Sequence, residues 1–162
     1  TIPRGSEKTD WEVELGVVIG KTAKNVSKEN ALDYVFGYTC ANDVSERVIQ
    51  NREMGYGCLL VGKAFDTFCP LGPVIATGLD AGNLRVQSSV NGKKRQDGNT
   101  SDLLFSVPFI VSYLSQAVTL LPGDVILTGT PSGVGPLNGG DVCEIVIEGI
   151  GTLSNPVVDE AA

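Results

Sequence analysis

The sequence predicts an α+β fold that is mainly β, rich in turns and supplied with a few short helices. Twenty glycines among 162 residues leave little room for long uninterrupted helices. Apolar and polar residues alternate in several short runs, which is the period of a half-buried strand. Only residues 100–116 hold apolar side chains at helical spacing over several turns, through Leu104, Val107, Val111 and Leu114.

Taken in order, residues 1–9 are a polar lead-in with a turn at Arg4-Gly5-Ser6. Residues 11–20, WEVELGVVIG, form a strand that ends at Gly20. Its alternation puts Trp11, Val13, Leu15, Val17 and Ile19 on one face, with Glu12 and Glu14 together on the other. Ser27 is placed to cap a short helix over residues 27–34. Residues 34–40 are apolar and β-prone and lead into Asn42-Asp43-Val44-Ser45. Residues 46–57 read as a short helix or loop, and Cys69-Pro70-Leu71-Gly72-Pro73 as a rigid, extended turn. A strand over residues 83–90 meets Asn91-Gly92, a type I′ hairpin signal, and returns over residues 93–96. Thr100 or Ser101 is expected to cap the helical run, and Pro108 within it to impose a kink or divide it in two. Two Gly-Asp-Val turns, at Gly123 and Gly140, each introduce a strand.

A chain of this length suits one domain with its own core, here spanning residues 1–162. The formal charge of −7, from 12 basic and 19 acidic residues, argues against nucleic-acid or anionic-membrane partners. No apolar run approaches the roughly 20 residues that span a bilayer. Four scattered cysteines include no CxxC pair, so a zinc site or redox dithiol is not expected, and a reduced, cytoplasmic setting is. Histidine is absent, which removes the commonest neutral-pH base and leaves oxygen as the donor for any metal. The chain opens on Thr1 rather than Met and is expected to begin inside a longer natural protein.

Glu12 and Glu14 are the residues most informative about chemistry. Two carboxylates on one strand face repel, and a hard divalent cation such as Mg²⁺, Mn²⁺ or Ca²⁺ compensates them well. The alternative is an edge strand with two solvated acids. Asp43 offers a third oxygen ligand, or else an N-cap for the helix after it. Lys63, the only cation in an apolar stretch, can counter an anionic substrate or a developing enolate, or can snorkel at the surface. Arg47 and Gln50 follow Asp43 at helical steps and point either toward a substrate carboxylate or to solvent. Thr128-Gly129-Thr130-Pro131 ends a strand in a glycine-rich loop suited to an oxyanion; it lacks the lysine of a phosphate loop.

Together, DWEVELGVVIG, ALDYVFGYTCANDVSER, GKAFDTFCPLGP, VNGKKRQDGNTSDLLF, LLPGDVILTGTPSGVG and IEGIGTLSN, in this order, resemble the fumarylacetoacetate hydrolase superfamily from about Pro3 to Val157. The resemblance implies a mixed β-roll, usually a homodimer, with Mg²⁺ or Mn²⁺ held by Glu12, Glu14 and Asp43; Ca²⁺ could take their place in a crystal. It also implies an active-site lysine at Lys63 and a catalytic threonine at Thr130. Substrate contacts would come from Arg47, Gln50, Thr128 and Gly129. The implied substrates are small 2-oxo or 2,4-diketo acids, and the implied reaction is C–C hydrolysis of an acylpyruvate through an enolate stabilised by the metal. Decarboxylation, tautomerisation and metal-dependent binding without turnover are the alternatives. Two departures stand out. Hydrolytic members usually activate water with a His-Glu pair upstream of the acidic strand, and this chain has no histidine. The stretches 77–83 and 135–141 are also short for the pattern, as if residues were missing there.

Overall fold

The structure, a computed structural model that describes residues 1–161, contains ten strands and two α-helices among those residues. The strands are β1 (Thr9–Asp10), β2 (Val13–Ile19), β3 (Val35–Asn42), β4 (Ser45–Glu46), β5 (Leu71–Ala76), β6 (Arg85–Val90), β7 (Lys93–Asn99), β8 (Val125–Leu127), β9 (Val142–Ile147) and β10 (Gly151–Pro156). The helices are α1 (Arg47–Met54) and α2 (Val107–Ala117), with 3₁₀ turns at Lys28–Tyr34, Val61–Lys63 and Thr100–Asp102. One sheet has the order β5-β3-β2-β8, a second β10-β9-β6-β7, and β1 pairs with β4. Their ladders are antiparallel, so the expected mainly-β α+β architecture is present.

Strand β2 is central, with β3 on one side and β8 on the other, and all seven of its residues are buried. The solvated edge strand is therefore excluded. Leu15, Val17 and Ile19 turn toward the core shared with Ile145 and Ile147 of β9. Each such side chain contributes about 1.5–3 kcal/mol when fully buried. Its opposite face is closed as well, which is why Glu12 and Glu14 are enclosed rather than wetted.

Three local expectations change. Residues 28–34 form a 3₁₀ turn, and Ser27 stands at its start without a side-chain cap bond. The helical run is in two pieces, as expected, but the break lies at residues 103–106 and the cap differs: Asn99, rather than Thr100 or Ser101, caps the 3₁₀ turn Thr100–Asp102, and α2 starts at Val107 with Pro108 in its first turn. A proline fits there because the first amide groups of a helix have no internal partner. Leu104 lies outside both helices and is 87% exposed, so its helical spacing was coincidental. The return strand runs on to Asn99, three residues beyond the expected end. Asn91 and Gly92 both adopt positive φ, as a type I′ turn requires, and strands do follow the turns at Gly123 and Gly140. All four thiols are free. No helix among the described residues is long and apolar enough to cross a membrane.

Candidate metal centre

Glu12 lies just before β2, Glu14 is its second residue, and Asp43 directly follows β3. The antiparallel register pairs Val13 with Asn42 and so brings the three carboxylates together from two neighbouring strand ends. Two hydrogen bonds fix the crossing: the Glu12 N–H donates to the Asn42 side-chain Oδ1 at 2.9 Å and the Asp43 N–H to the Glu12 carbonyl at 2.9 Å. One oxygen from each carboxylate lies within 4.8 Å of the others. Glu46, rather than Asp43, caps α1, accepting from the Ile49 N–H at 2.6 Å. Asp43 is thereby left to the cluster.

Two cations sit against these acids. Lys63, on the 3₁₀ turn Val61–Lys63, donates from Nζ to Glu12 Oε2 at 3.0 Å and to Asp43 Oδ2. Arg47, the first residue of α1, bonds Asp10 Oδ2 at 2.8 Å, Glu12 Oε1 at 2.6 Å and Gln50 Oε1 at 2.8 Å. Its guanidinium is thus engaged with residues that shape the cluster, and Gln50 is buried beside it. The Gly129 N–H donates to Glu14 Oε2 at 2.6 Å, and Thr128 Oγ1 donates to the Leu15 carbonyl at 3.1 Å. The threonine loop therefore packs directly on the acidic strand. Lys63, Arg47, Gln50 and the threonine loop all reach the cluster or its immediate partners.

Sequence reasoning missed three residues that build the site: Asp10, Asn42 and Gln96. Gln96 is fully buried in β7 and joins the acidic strand to the threonine loop. Its Oε1 accepts from the Val13 N–H at 3.2 Å and from Ser88 Oγ at 2.9 Å. Its Nε2 donates to Thr130 Oγ1 at 2.8 Å and to the Pro131 carbonyl at 2.7 Å. Nothing in the polar run KKRQDGN sets this glutamine apart, because its role depends on which face of the hairpin meets β2.

Burial pushes the Glu14 carboxyl up to about 7; the Gly129 N–H opposes this, while the charges of Asp43 and Glu12 add to it. Burial also raises Asp43, although Lys63 pulls the other way. Lys63 itself is raised, because its bonds to Asp43 and Glu12 outweigh the effect of burial. An all-oxygen donor set in which burial holds Glu14 and Asp43 above their ordinary range suits a hard divalent cation, which would favour the charged carboxylates. Glu12, Glu14 and Asp43 therefore fit such an ion.

One consequence concerns stability. The folded protein holds the Glu14 proton more tightly than an unfolded chain, whose ordinary value is 4.5. Its contribution is present below that value and is lost as pH rises through about 7, a change of roughly 3 kcal/mol. Asp43, also raised, acts in the same direction. The melting temperature of metal-free protein is expected to fall between about pH 5 and about pH 8, and to fall much less in Glu14→Gln. A flat profile in the parent protein would contradict this account.

Residues 1–158 match the family profile described as fumarylacetoacetate (FAA) hydrolase C-terminal. The mitochondrial oxaloacetate tautomerase fahd2 of Xenopus laevis is 47% identical over 97% of this chain and 52% of its own length. A crystal structure of 5-carboxymethyl-2-hydroxymuconate delta-isomerase from Mycobacterium smegmatis superposes with a TM-score of 0.95, at 46% identity, over 99% of this chain and 63% of that one. The fumarylpyruvate hydrolase of Pseudomonas aeruginosa, solved with Mn²⁺ and pyruvate, gives 0.92 at 35% identity, over 98% of this chain and 70% of that one. The chain thus spans about half the length of the frog tautomerase and under two thirds of the isomerase. With the six sequence segments, the two sheets and the carboxylate cluster in agreement, the chain belongs to the fumarylacetoacetate hydrolase family.

Proposed function

We propose that this site catalyses keto–enol tautomerisation of a short 2-oxo dicarboxylate of the oxaloacetate type. The observation that carries the reading is the Lys63 ammonium, held against Glu12 and Asp43 of a three-carboxylate cluster. In the ketonisation direction the enol hydroxyl loses its proton and C3 gains one; the reverse direction exchanges these places. Both directions pass through negative charge on the 2-oxo oxygen. A lysine with a raised pKa stays protonated at neutral pH, so Lys63 Nζ stabilises that charge by its positive charge and hydrogen bond. A divalent ion held by Glu12, Glu14 and Asp43, with Mg²⁺ or Mn²⁺ favoured, would supply Lewis acidity toward the substrate's oxygens. Arg47, braced by Gln50, fixes Glu12, and the Gly129 N–H of the loop after β8 holds Glu14. The frog tautomerase, at 47% identity, supports this substrate class.

Hydrolysis of a C–C bond in an acylpyruvate or 2,4-diketo acid is the second reading, supported by the fold shared with the fumarylpyruvate hydrolase. It demands an activated water in addition to the stabilised enolate. Consumption of enol-oxaloacetate above the uncatalysed rate, with no pyruvate or CO₂ released, would support tautomerisation. Stoichiometric pyruvate from an acylpyruvate would replace it with hydrolysis, and CO₂ would indicate decarboxylation. Metal-dependent oxalate binding without turnover would leave a binding module. A cytoplasmic homodimer, acting as a single catalytic domain of a longer protein, completes the proposal.

A further inference from the structure

Lys63 sits on a short 3₁₀ turn whose neighbours are largely exposed. Leu59, Leu60 and Val61 are about half or more open to solvent, and Tyr56 is 83% exposed. Its apolar side chains are not packed into the core, yet its lysine must meet two carboxylates at hydrogen-bond distance. A side chain outside the cluster supplies the missing restraint. Glu53, in the last turn of α1, turns its carboxylate onto three successive amide groups: Oε2 accepts from Leu60 N–H at 3.1 Å and Gly62 N–H at 3.0 Å, and Oε1 from Val61 N–H at 2.7 Å. Successive N–H groups converging on one anion form a nest, a strong and directional arrangement. The bonds from Gly62, Leu60 and Val61 hold the Glu53 carboxyl below its ordinary range, so it is charged at neutral pH. The turn also lies flush on α1, since a Cβ on Gly62 would come within 2.8 Å of the Gln50 nitrogen.

We propose that Glu53 is a positioning residue for Lys63: its carboxylate clamps the 60–62 backbone to α1 and so sets the ammonium between Glu12 and Asp43. The clamp connects Lys63 to the same helix whose first residue, Arg47, holds Glu12. One helix thereby registers both cations against the acids. The catalytic part of this inference rests on the tautomerase reading; the geometric part does not.

The test uses Glu53→Gln and Glu53→Ala, the second in case the amide of the first disturbs the turn. In metal-free protein, acetylation of each lysine by an N-hydroxysuccinimide ester is read by mass spectrometry, with exposed Lys28 as the internal reference. Lys63 labelling relative to Lys28 is expected to rise several-fold in both variants, and unchanged labelling overturns the clamp. With enol-oxaloacetate, kcat is expected to fall several-fold while KM and divalent-metal affinity hold. The same substitution in a Lys63→Met background should then cost nothing further. An equal loss in that background would show that Glu53 acts through general stability and would overturn the positioning role. If the parent protein does not turn over oxaloacetate, the tautomerase reading fails, and the labelling ratio still decides the clamp.

Discussion

Glu14→Gln is expected to abolish metal-dependent turnover while leaving the metal-free fold as stable as before, or more so. The amide has the shape of the carboxylate and keeps an oxygen for the Gly129 N–H. What it loses is the charge, at a position 3% exposed where burial already disfavours that charge. Removing an ionisable group from such a place takes away a desolvation cost rather than a stabilising contact. The same change deletes one of three oxygen ligands. Changes in groups that merely support a ligand weaken metal affinity or activity about 10–100-fold, and loss of a ligand is expected to exceed that. Titration with Mn²⁺ by calorimetry, beside melting curves at about pH 8, separates the two effects. Retained activity at limiting metal would remove Glu14 from the centre.

Lys63→Met is expected to have the opposite signature: slow turnover with metal affinity retained or improved. Nζ occupies one oxygen each of Glu12 and Asp43, so a divalent ion competes with the lysine for the same carboxylates. Without it, Asp43 loses its cation and Glu12 keeps only Arg47, and the metal-free variant should melt earlier and respond more strongly to added metal. Loss of a donor aimed at developing negative charge costs about 10²–10³ in kcat. Unchanged kcat would assign Lys63 to structural charge compensation alone.

Much of this was legible in residue spacing, for identifiable reasons. The i, i+2 spacing of Glu12 and Glu14 guarantees a shared face whatever lies beyond it, and Asn91-Gly92 specifies its turn through local conformational preference. Burial of that face was not legible, because it depends on β3 and β8 flanking β2 from far along the chain, Glu14 pairing with Ala41 and Gly16 with Leu127. Leu104 shows the converse: its spacing matched a helix, and the proline at 108 moved the helix start past it. Gln96, Asn42 and Asp10 carried no signal, since a polar side chain declares its partner only once the sheets are stacked. Glu53 was hidden similarly, as an acid on a helix end reaching a backbone seven to nine residues on.

The bonds around Gln96 also give the two threonines of the loop opposite hydrogen-bond polarity. Gln96 has one orientation available: its oxygen must face the Val13 N–H and its amide hydrogens the Pro131 carbonyl. Thr130 Oγ1 is therefore an acceptor toward the interior, and its own hydrogen is left for another partner. Thr128 is the reverse, spending its hydrogen on the Leu15 carbonyl. Lys63, with three ammonium hydrogens and two engaged, keeps one more. Thr130 and Lys63 thus each keep one hydrogen to donate, a match for the lone pairs of carboxylate and carbonyl oxygens.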